Sequence, residues 1–448
     1  MTTLRHYSGV VFLLLLGLLA CAFGQYCSRR GCCPGRDDYC NIPFYDTLCY
    51  CDEFCRRINS DCCPDYYGSL CHLTPQPPTP SAVATTPSED VCVFNGRSYT
   101  LGEQVMDNCN LCTCQVDELF GGLTLRCEDN DCAIDPGNIE IVDLERPGWT
   151  AGNYTDFWGK TLKEVRLYRT GTLEPPGGVV RQTEVDIELR ENLPKTFDVR
   201  DKWGNLIGGI QDQGDCGSSW AASTIALASD RLAIQSSGMI TKRLSMQHLL
   251  SCNSRGQLGC NGGYTDRAYW FLRKRGVVTE ECYPLESGQS EDTSMDKLSC
   301  KLGYLRSFPC PQSGVTSELQ RSTPPYRIST NPEEIMIEIQ RNGPVQVYFV
   351  STSATFLVKE DFFSYVSGVY RYMGSDKPKD EGFHSVRILG WGSEIDEDGN
   401  EIPYWLCANS WGTGWGEDGY FRILRGSNEC EIESFVVGVW GQVDADMG

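Results

Sequence analysis

The stretch Gln213-Gly214-Asp215-Cys216-Gly217-Ser218-Ser219-Trp220-Ala221 runs directly into Ala222, Ile225, Ala226, Ala228 and Leu232. Those apolar residues recur at helical spacing with few breakers between them, so the segment predicts a long buried helix with Ser219 at its start. A helix N-terminus carries partial positive charge and favours an anion placed against it. A thiolate nucleophile would be expected at such a point, yet a serine occupies it. The lead-in is Leu193-Pro194-Lys195-Thr196-Phe197-Asp198-Val199-Arg200, and about 250 residues follow, enough for one sizeable core or two halves around a cleft.

Other segments of this C-terminal unit carry local signals. Val386 to Trp391 and Tyr404 to Ala408 are apolar and strand-like. The acidic run Glu394 to Glu401 between them holds Asp398-Gly399 and reads as a solvated hairpin turn; its spacing does not suit a calcium loop. His248, in Leu244-Ser245-Met246-Gln247-His248, fits a solvent-facing or satisfied helix position and has no catalytic part.

The chain has 448 residues, too many for one ordinary domain. Hydrophobic residues at 40% and charged residues at 22% indicate globular structure. With 39 Lys+Arg against 60 Asp+Glu, the formal charge is −21, which disfavours nucleic acid or an anionic membrane as the main partner. That balance does not exclude a local basic patch.

Cysteine usage sets the compartment. The first of 25 cysteines, Cys21, lies in the apolar run Val10 to Phe23, which follows Arg5 and ends in Ala22-Phe23-Gly24. The run is too short to span a bilayer and reads as a signal peptide over residues 1–24. The other 24 cysteines fall into groups of ten (Cys27 to Cys71), six (Cys92 to Cys132) and eight (Cys216 to Cys430). Each count is even, so bridges are expected to close within units. No later run suits a transmembrane helix, and a soluble, secreted, disulfide-bonded protein is expected.

The Pro/Thr-rich segment 73–91 reads as an extended linker. The unit before it, residues 25–72, is too small to fold on an apolar core alone, so bridges must replace one. In the second group, Cys109-x2-Cys112-x-Cys114 would suit zinc in a cytosolic protein; behind a signal peptide it reads as disulfides. Asn153-Tyr154-Thr155 is a glycosylation sequon and implies an exposed Asn153. Phe157-Trp158-Gly159 through Leu162 looks like a short helical stretch. No metal and no cofactor are expected.

Taken with Gly262-Gly263, Asn342-Gly343-Pro344 and Arg387-Ile388-Leu389-Gly390-Trp391-Gly392, the region from Leu193 to Trp440 resembles the papain-fold cysteine peptidases, best their cathepsin B branch. Trp149 to Thr161 resembles the cathepsin B propeptide. Cys49-Tyr50-Cys51-Asp52-Glu53-Phe54-Cys55 and Asp61-Cys62-Cys63-Pro64-Asp65-Tyr66 resemble the somatomedin B domain, a protein-binding knot. Residues 92–135 look like a von Willebrand factor C-type or follistatin-like module. The whole series is similar to the tubulointerstitial nephritis antigen family. The implied fold is α+β, a helical half and a β-barrel-like half over residues 193–448, with a propeptide-like segment at 136–192.

The resemblance also implies roles. His384 would be the base, Asn409 its orienter, Gln213 the oxyanion donor, and Trp411 the shield over the His–Asn bond. Trp220, Gly262 and Gly263 would line the cleft. The nucleophile position is Ser219. A papain-type cysteine has a pKa of about 3–4 and is ionised before substrate arrives, whereas a serine hydroxyl is not. Losing such a nucleophile costs on the order of 10⁶ in rate, so no useful peptidase activity is expected. A serine-variant peptidase and a cleft that captures peptide without cutting it stand as alternatives. No histidine lies between Cys282 and Cys310, where the cathepsin B branch carries its carboxylate-recognising loop. The family suggests a Cys216–Cys260 bridge; Cys252 would join Cys300 or Cys310, and Cys407 would join Cys430. Matrix partners of laminin or collagen type and integrin-type receptors are implied, with no nucleic acid.

Overall fold

The computed structural model describes residues 41–44, 47–50, 91–117, 121–173, 184–189, 192–289, 299–302, 307–310, 316–348, 358–373 and 383–443. The signal peptide, almost all of the somatomedin-like knot and the linker lie outside the described residues. Contacts divide the chain into two units, residues 1–88 and 89–448. Of the first, one antiparallel hairpin is described, β1 (Asn41–Phe44) with β2 (Thr47–Tyr50).

The second unit begins with the cysteine-rich module. Strands β3 (Cys92–Phe94) and β4 (Arg97–Tyr99) pair, and β5 (Gln104–Asp107), β6 (Asn110–Val116) and β7 (Leu123–Cys127) form a three-stranded sheet. Cys92–Cys114, Cys109–Cys132 and Cys112–Cys127 staple it, in line with the even count. Asn108 ties the module to the propeptide-like segment, its oxygen accepting from the Gly159 N–H while its amide donates to the Ile134 carbonyl within the module.

Next comes α1 (Pro136–Glu145), capped by the Asp135 carboxylate, then strand β8 (Trp149–Ala151) and α2 (Leu162–Arg169). Thr161 and Glu164 close a reciprocal capping box at the start of α2. The helical-looking stretch is therefore turn from Phe157 to Lys160, with helix only from Leu162. The strand β8 forms because Trp149 finds a partner more than 200 residues away: β8 adds to the edge of β14 (Tyr365–Tyr370), and its indole packs on Tyr365 and Tyr370.

The remaining elements are β9 (Phe197–Asp198), α3 (Val199–Trp203), α4 (Ser219–Gln235), α5 (Met246–Cys252), α6 (Thr265–Lys274), β10 (Ser307–Pro309), β11 (Thr316–Glu318), β12 (Tyr326–Ile328), α7 (Pro332–Asn342), β13 (Val345–Tyr348), β14 (Tyr365–Tyr370), β15 (Ser385–Ile395), β16 (Glu401–Ala408), β17 (Tyr420–Leu424) and β18 (Val436–Gly438). A nine-stranded sheet runs β12-β18-β13-β15-β16-β17-β14-β8, with β9 also on β15. The β15–β16 hairpin turns at Asp396–Asn400, where the Asp396 carboxylate accepts the Asp398 and Asn400 N–H groups. Both strands and the acidic turn match the sequence reading.

The long helix begins at Ser219 as expected and is buried from Ser219 to Ala233. Its polar residues survive burial because Ser223, Thr224 and Ser229 return their hydroxyls to the carbonyl four residues back. Asp230 pairs with Arg387 of β15, and Arg231 reaches Glu338 of α7 and the Gly343 and Pro344 carbonyls. Buried charges of this kind need partners, and these hold the helical half against the sheet half.

Cys216–Cys260, Cys252–Cys300 and Cys282–Cys310 are bridged. The Cys252 alternative thus resolves to Cys300, since Cys310 is taken by Cys282. The expected Cys407–Cys430 bridge does not form; both thiols are free. Cys407 sits inside β16, opposite Ile388 and Phe421, and is fully buried among apolar neighbours, while Cys430 lies in a separate turn at Glu429–Glu431. An even count did not guarantee pairing.

Candidate functional site

The loop before α4, the loop before β15 and the end of β16 bring the expected residues together. His384 and Asn409 are joined by a 2.7 Å hydrogen bond. The Ser410 N–H also points at Asn409 Oδ1, which identifies that atom as the oxygen, so His384 Nε2–H is the donor. This leaves His384 Nδ1 as a buried lone pair without a partner among the described residues. Burial pushes the His384 pKa down to about 4, against a smaller opposing effect of the Asn409 bond, so the ring is neutral at physiological pH. Trp411 covers the pair, its ring 5.0 Å from the imidazole and stacked on Phe363.

Gln213 is fully buried; its oxygen accepts from the Ser410 hydroxyl and its amide faces the start of α4, donating to the Cys216 carbonyl. Trp220 is also fully buried, and its ring lies so close under Gly263 that a Cβ there would come within 2.4 Å of it. Gly263 therefore serves packing as well as the cleft. His248 is buried, not solvent-facing: its Nδ1 accepts the Val278 N–H, and burial lowers its pKa to about 4. It is the satisfied helix residue of the two options.

Ser219 has no exposed surface, and the reason lies in the propeptide-like segment. Leaving α2, the chain crosses the cleft as Thr170-Gly171-Thr172-Leu173. The Thr170 carbonyl accepts from the Ser219 N–H at 3.2 Å and from the Gln213 amide at 3.3 Å. Gly171 and Leu173 bond to both backbone groups of Gly263, and the Thr172 N–H donates to the Phe383 carbonyl. Thr172 Oγ1 and Ser219 Oγ are 2.9 Å apart and hydrogen-bonded. The serine hydroxyl is thus engaged by threonine, and no hydrogen bond joins it to His384.

The crossing is tightly fitted. Gly171 has φ +104°, and a Cβ there would lie 2.0 Å from the Gly217 carbonyl oxygen, so only glycine passes. On one flank, Arg169 pairs with Asp212 and its carbonyl accepts the Trp411 indole N–H. Nearer the start of the segment, Phe157 is buried against Phe363 and Trp411. Sequence reading missed this use of residues 169–173. Their only local signal is a glycine after an amphipathic helix, which marks a helix end but not where the chain goes next. Asn153 is exposed, as its sequon requires.

Comparison with known proteins places this architecture. The papain family cysteine protease profile matches residues 193–440. Human tubulointerstitial nephritis antigen-like is 43% identical over 444 residues, covering 95% of this chain and 91% of that protein. Bovine tubulointerstitial nephritis antigen is 43% identical over 435 residues, covering 94% and 88%. The cathepsin B-like cysteine proteinase 4 of Caenorhabditis elegans is 36% identical over 319 residues, 67% of this chain and 90% of that one. Among solved structures, procathepsin B S9 of Trypanosoma congolense is similar with a TM-score of 0.58 and 30% identity, covering 69% of this chain and 99% of its own. The chain belongs to the papain family of cysteine proteases, within its tubulointerstitial nephritis antigen group.

Proposed function

We propose that this chain is a secreted, non-catalytic member of the papain family that acts as an adhesive or scaffolding component of the extracellular matrix. The observation that carries the reading is the state of Ser219: a hydroxyl stands where the family places a thiol, and it is spent on Thr172 of the same chain. A neutral His384 with an unused Nδ1 would have to take that proton during attack, with the Thr170 carbonyl already on both oxyanion donors. Serine-variant proteolysis therefore has neither a free nucleophile nor a free oxyanion site. Capture of a foreign peptide on Gly262-Gly263 meets the same obstacle, since Gly171 and Leu173 already hold the Gly263 backbone.

Family resemblance supplies the rest: basement-membrane association, with laminin- or collagen-type proteins and integrin-type receptors as partners. The propeptide-like segment is expected to stay attached, since without an active nucleophile there is no reason for its removal and it supplies a strand of the sheet and fills the cleft. The test is binding of the full chain to laminin- and collagen-coated surfaces. Ser219→Ala is expected to bind within two-fold of wild type; loss of binding in that variant, or reaction of wild-type Ser219 with an active-site serine probe, overturns the proposal.

A further inference from the structure

With the cleft filled, contact with a partner has to use another surface. The chain carries −21 overall, yet residues 255–275 hold five cations (Arg255, Arg267, Arg273, Lys274 and Arg275) against one carboxylate, Asp266. Helix α6 turns Ala268, Tyr269, Phe271 and Leu272 into the core. That fixes its rotation and places Arg267, Trp270, Arg273 and Lys274 within an arc of about 120° on the other side. Arg273 and Lys274 are exposed, and Trp270 keeps 39% of its surface in solvent.

The loop before the helix completes a site. The Arg255 guanidinium sits over the Trp270 ring at 4.8 Å. Arg267 lies over Tyr264 and donates to the Gly256 carbonyl at 2.7 Å, which pins the loop beside the helix. Between them is a trough of about 490 Å³ lined by Arg255, Gly256, Asp266, Arg267 and Trp270. Asp266 stands half-buried in its wall, with Oδ1 enclosed and without a hydrogen-bond partner among the described residues.

Guanidinium groups in a row bind repeated oxyanions bidentately, an aromatic ring offers a face to a sugar, and a carboxylate in the trough wall accepts a sugar hydroxyl. We propose that this face binds a sulfated polysaccharide chain, with Arg255, Arg273 and Lys274 on its sulfates and Asp266 accepting a sugar hydroxyl. The proposal rests on the matrix reading for its partner class and deepens it by naming the ligand chemistry. DNA would present phosphates to the same cations but lacks the ribose hydroxyl that could donate to the carboxyl in the trough.

Immobilised heparin serves as the sulfated probe for the full chain at 0.15 M salt. The triple variant Arg255→Glu, Arg273→Glu, Lys274→Glu is expected to weaken binding at least ten-fold and to lower the salt slope by about three. The charge-matched control Arg146→Glu, Lys163→Glu, Lys195→Glu is expected to stay within two-fold, and desulfated heparin is expected not to bind. On the unaltered protein, heparin is expected to slow amide exchange across residues 253–258. A triple variant within two-fold of wild type, unchanged exchange there, or single-stranded DNA of matched length binding as tightly as heparin overturns the proposal. Turnover assays on the same preparations separate the two readings: peptidase activity would break the non-catalytic one alone, and lost heparin binding would break this one alone.

Discussion

The cleft and the outer face of α6 both gather polar side chains and treat them in opposite ways. In the cleft, Ser219, Gln213 and Asn409 are buried, and the donors that would meet a substrate already hold the protein's own backbone. On α6, Trp270, Arg273 and Lys274 reach solvent, and Arg267 and Trp270 line a concavity. On the proposed reading, a constellation that matches a catalytic family serves as internal structure, and the chemistry available to a partner lies where family motifs do not point. Retention of His384, Asn409 and Gln213 needs no activity to explain it. Each closes a buried hydrogen bond whose loss would leave a polar group unpaired.

The contrast can be broken most forcefully at the anchor of the cleft segment. Phe157→Ala removes a buried ring that packs on Phe363 and Trp411, and is expected to cost about 3–5 kcal/mol in urea unfolding, with faster proteolysis between residues 158 and 173. A cost under 1 kcal/mol would mean that the segment is only loosely docked.

Acid should act next. His248 and His384 are both lowered to about 4 by burial, so the unfolded chain takes up protons near pH 6.5 while the folded one does not. Stability present above pH 6.5 should be lost as pH falls toward 4, by on the order of 3 kcal/mol per histidine. Asp361, pushed up to about 6 chiefly by burial, works the other way as it protonates in the folded state, and Asp266 and Glu280, also raised chiefly by burial, add to that offset. Unfolding midpoints at pH 7 and pH 4.5 measure the balance; equal midpoints would contradict it.

Gly171→Ala sharpens the contrast by forcing the crossing out of the cleft. The added Cβ would strike Gly217, so a cost of about 2–3 kcal/mol is expected, together with faster amide exchange at Ser219. Unchanged exchange would show that the segment does not hold the helix start. The smallest effect belongs to Thr172→Val, which strands the Ser219 hydroxyl and should cost about 1 kcal/mol. A double-mutant cycle with Ser219→Ala should return most of that as coupling.

What was legible in the sequence was whatever a local pattern dictates. Ala-rich helical spacing gave the helix at Ser219, continuous apolar runs gave β15 and β16, and Asp398-Gly399 gave their turn. The expected site residues do converge, because each sits in a motif that shapes its own loop. The fate of Thr170 to Leu173 was not legible, since a four-residue extended stretch has no signature for what it lies against. The same holds for Trp149 to Ala151, a strand only because β14 offers an open edge. Cys407 shows the limit of counting: parity suggests pairing, but a thiol inside a central strand has no bridging partner among the described residues.

The most direct test is the hydrolysis of a fluorogenic peptide by the purified full chain, measured beside its Ser219→Ala variant. The account predicts that both stay at background. Measurable hydrolysis by the wild type that vanishes in the alanine variant would contradict it.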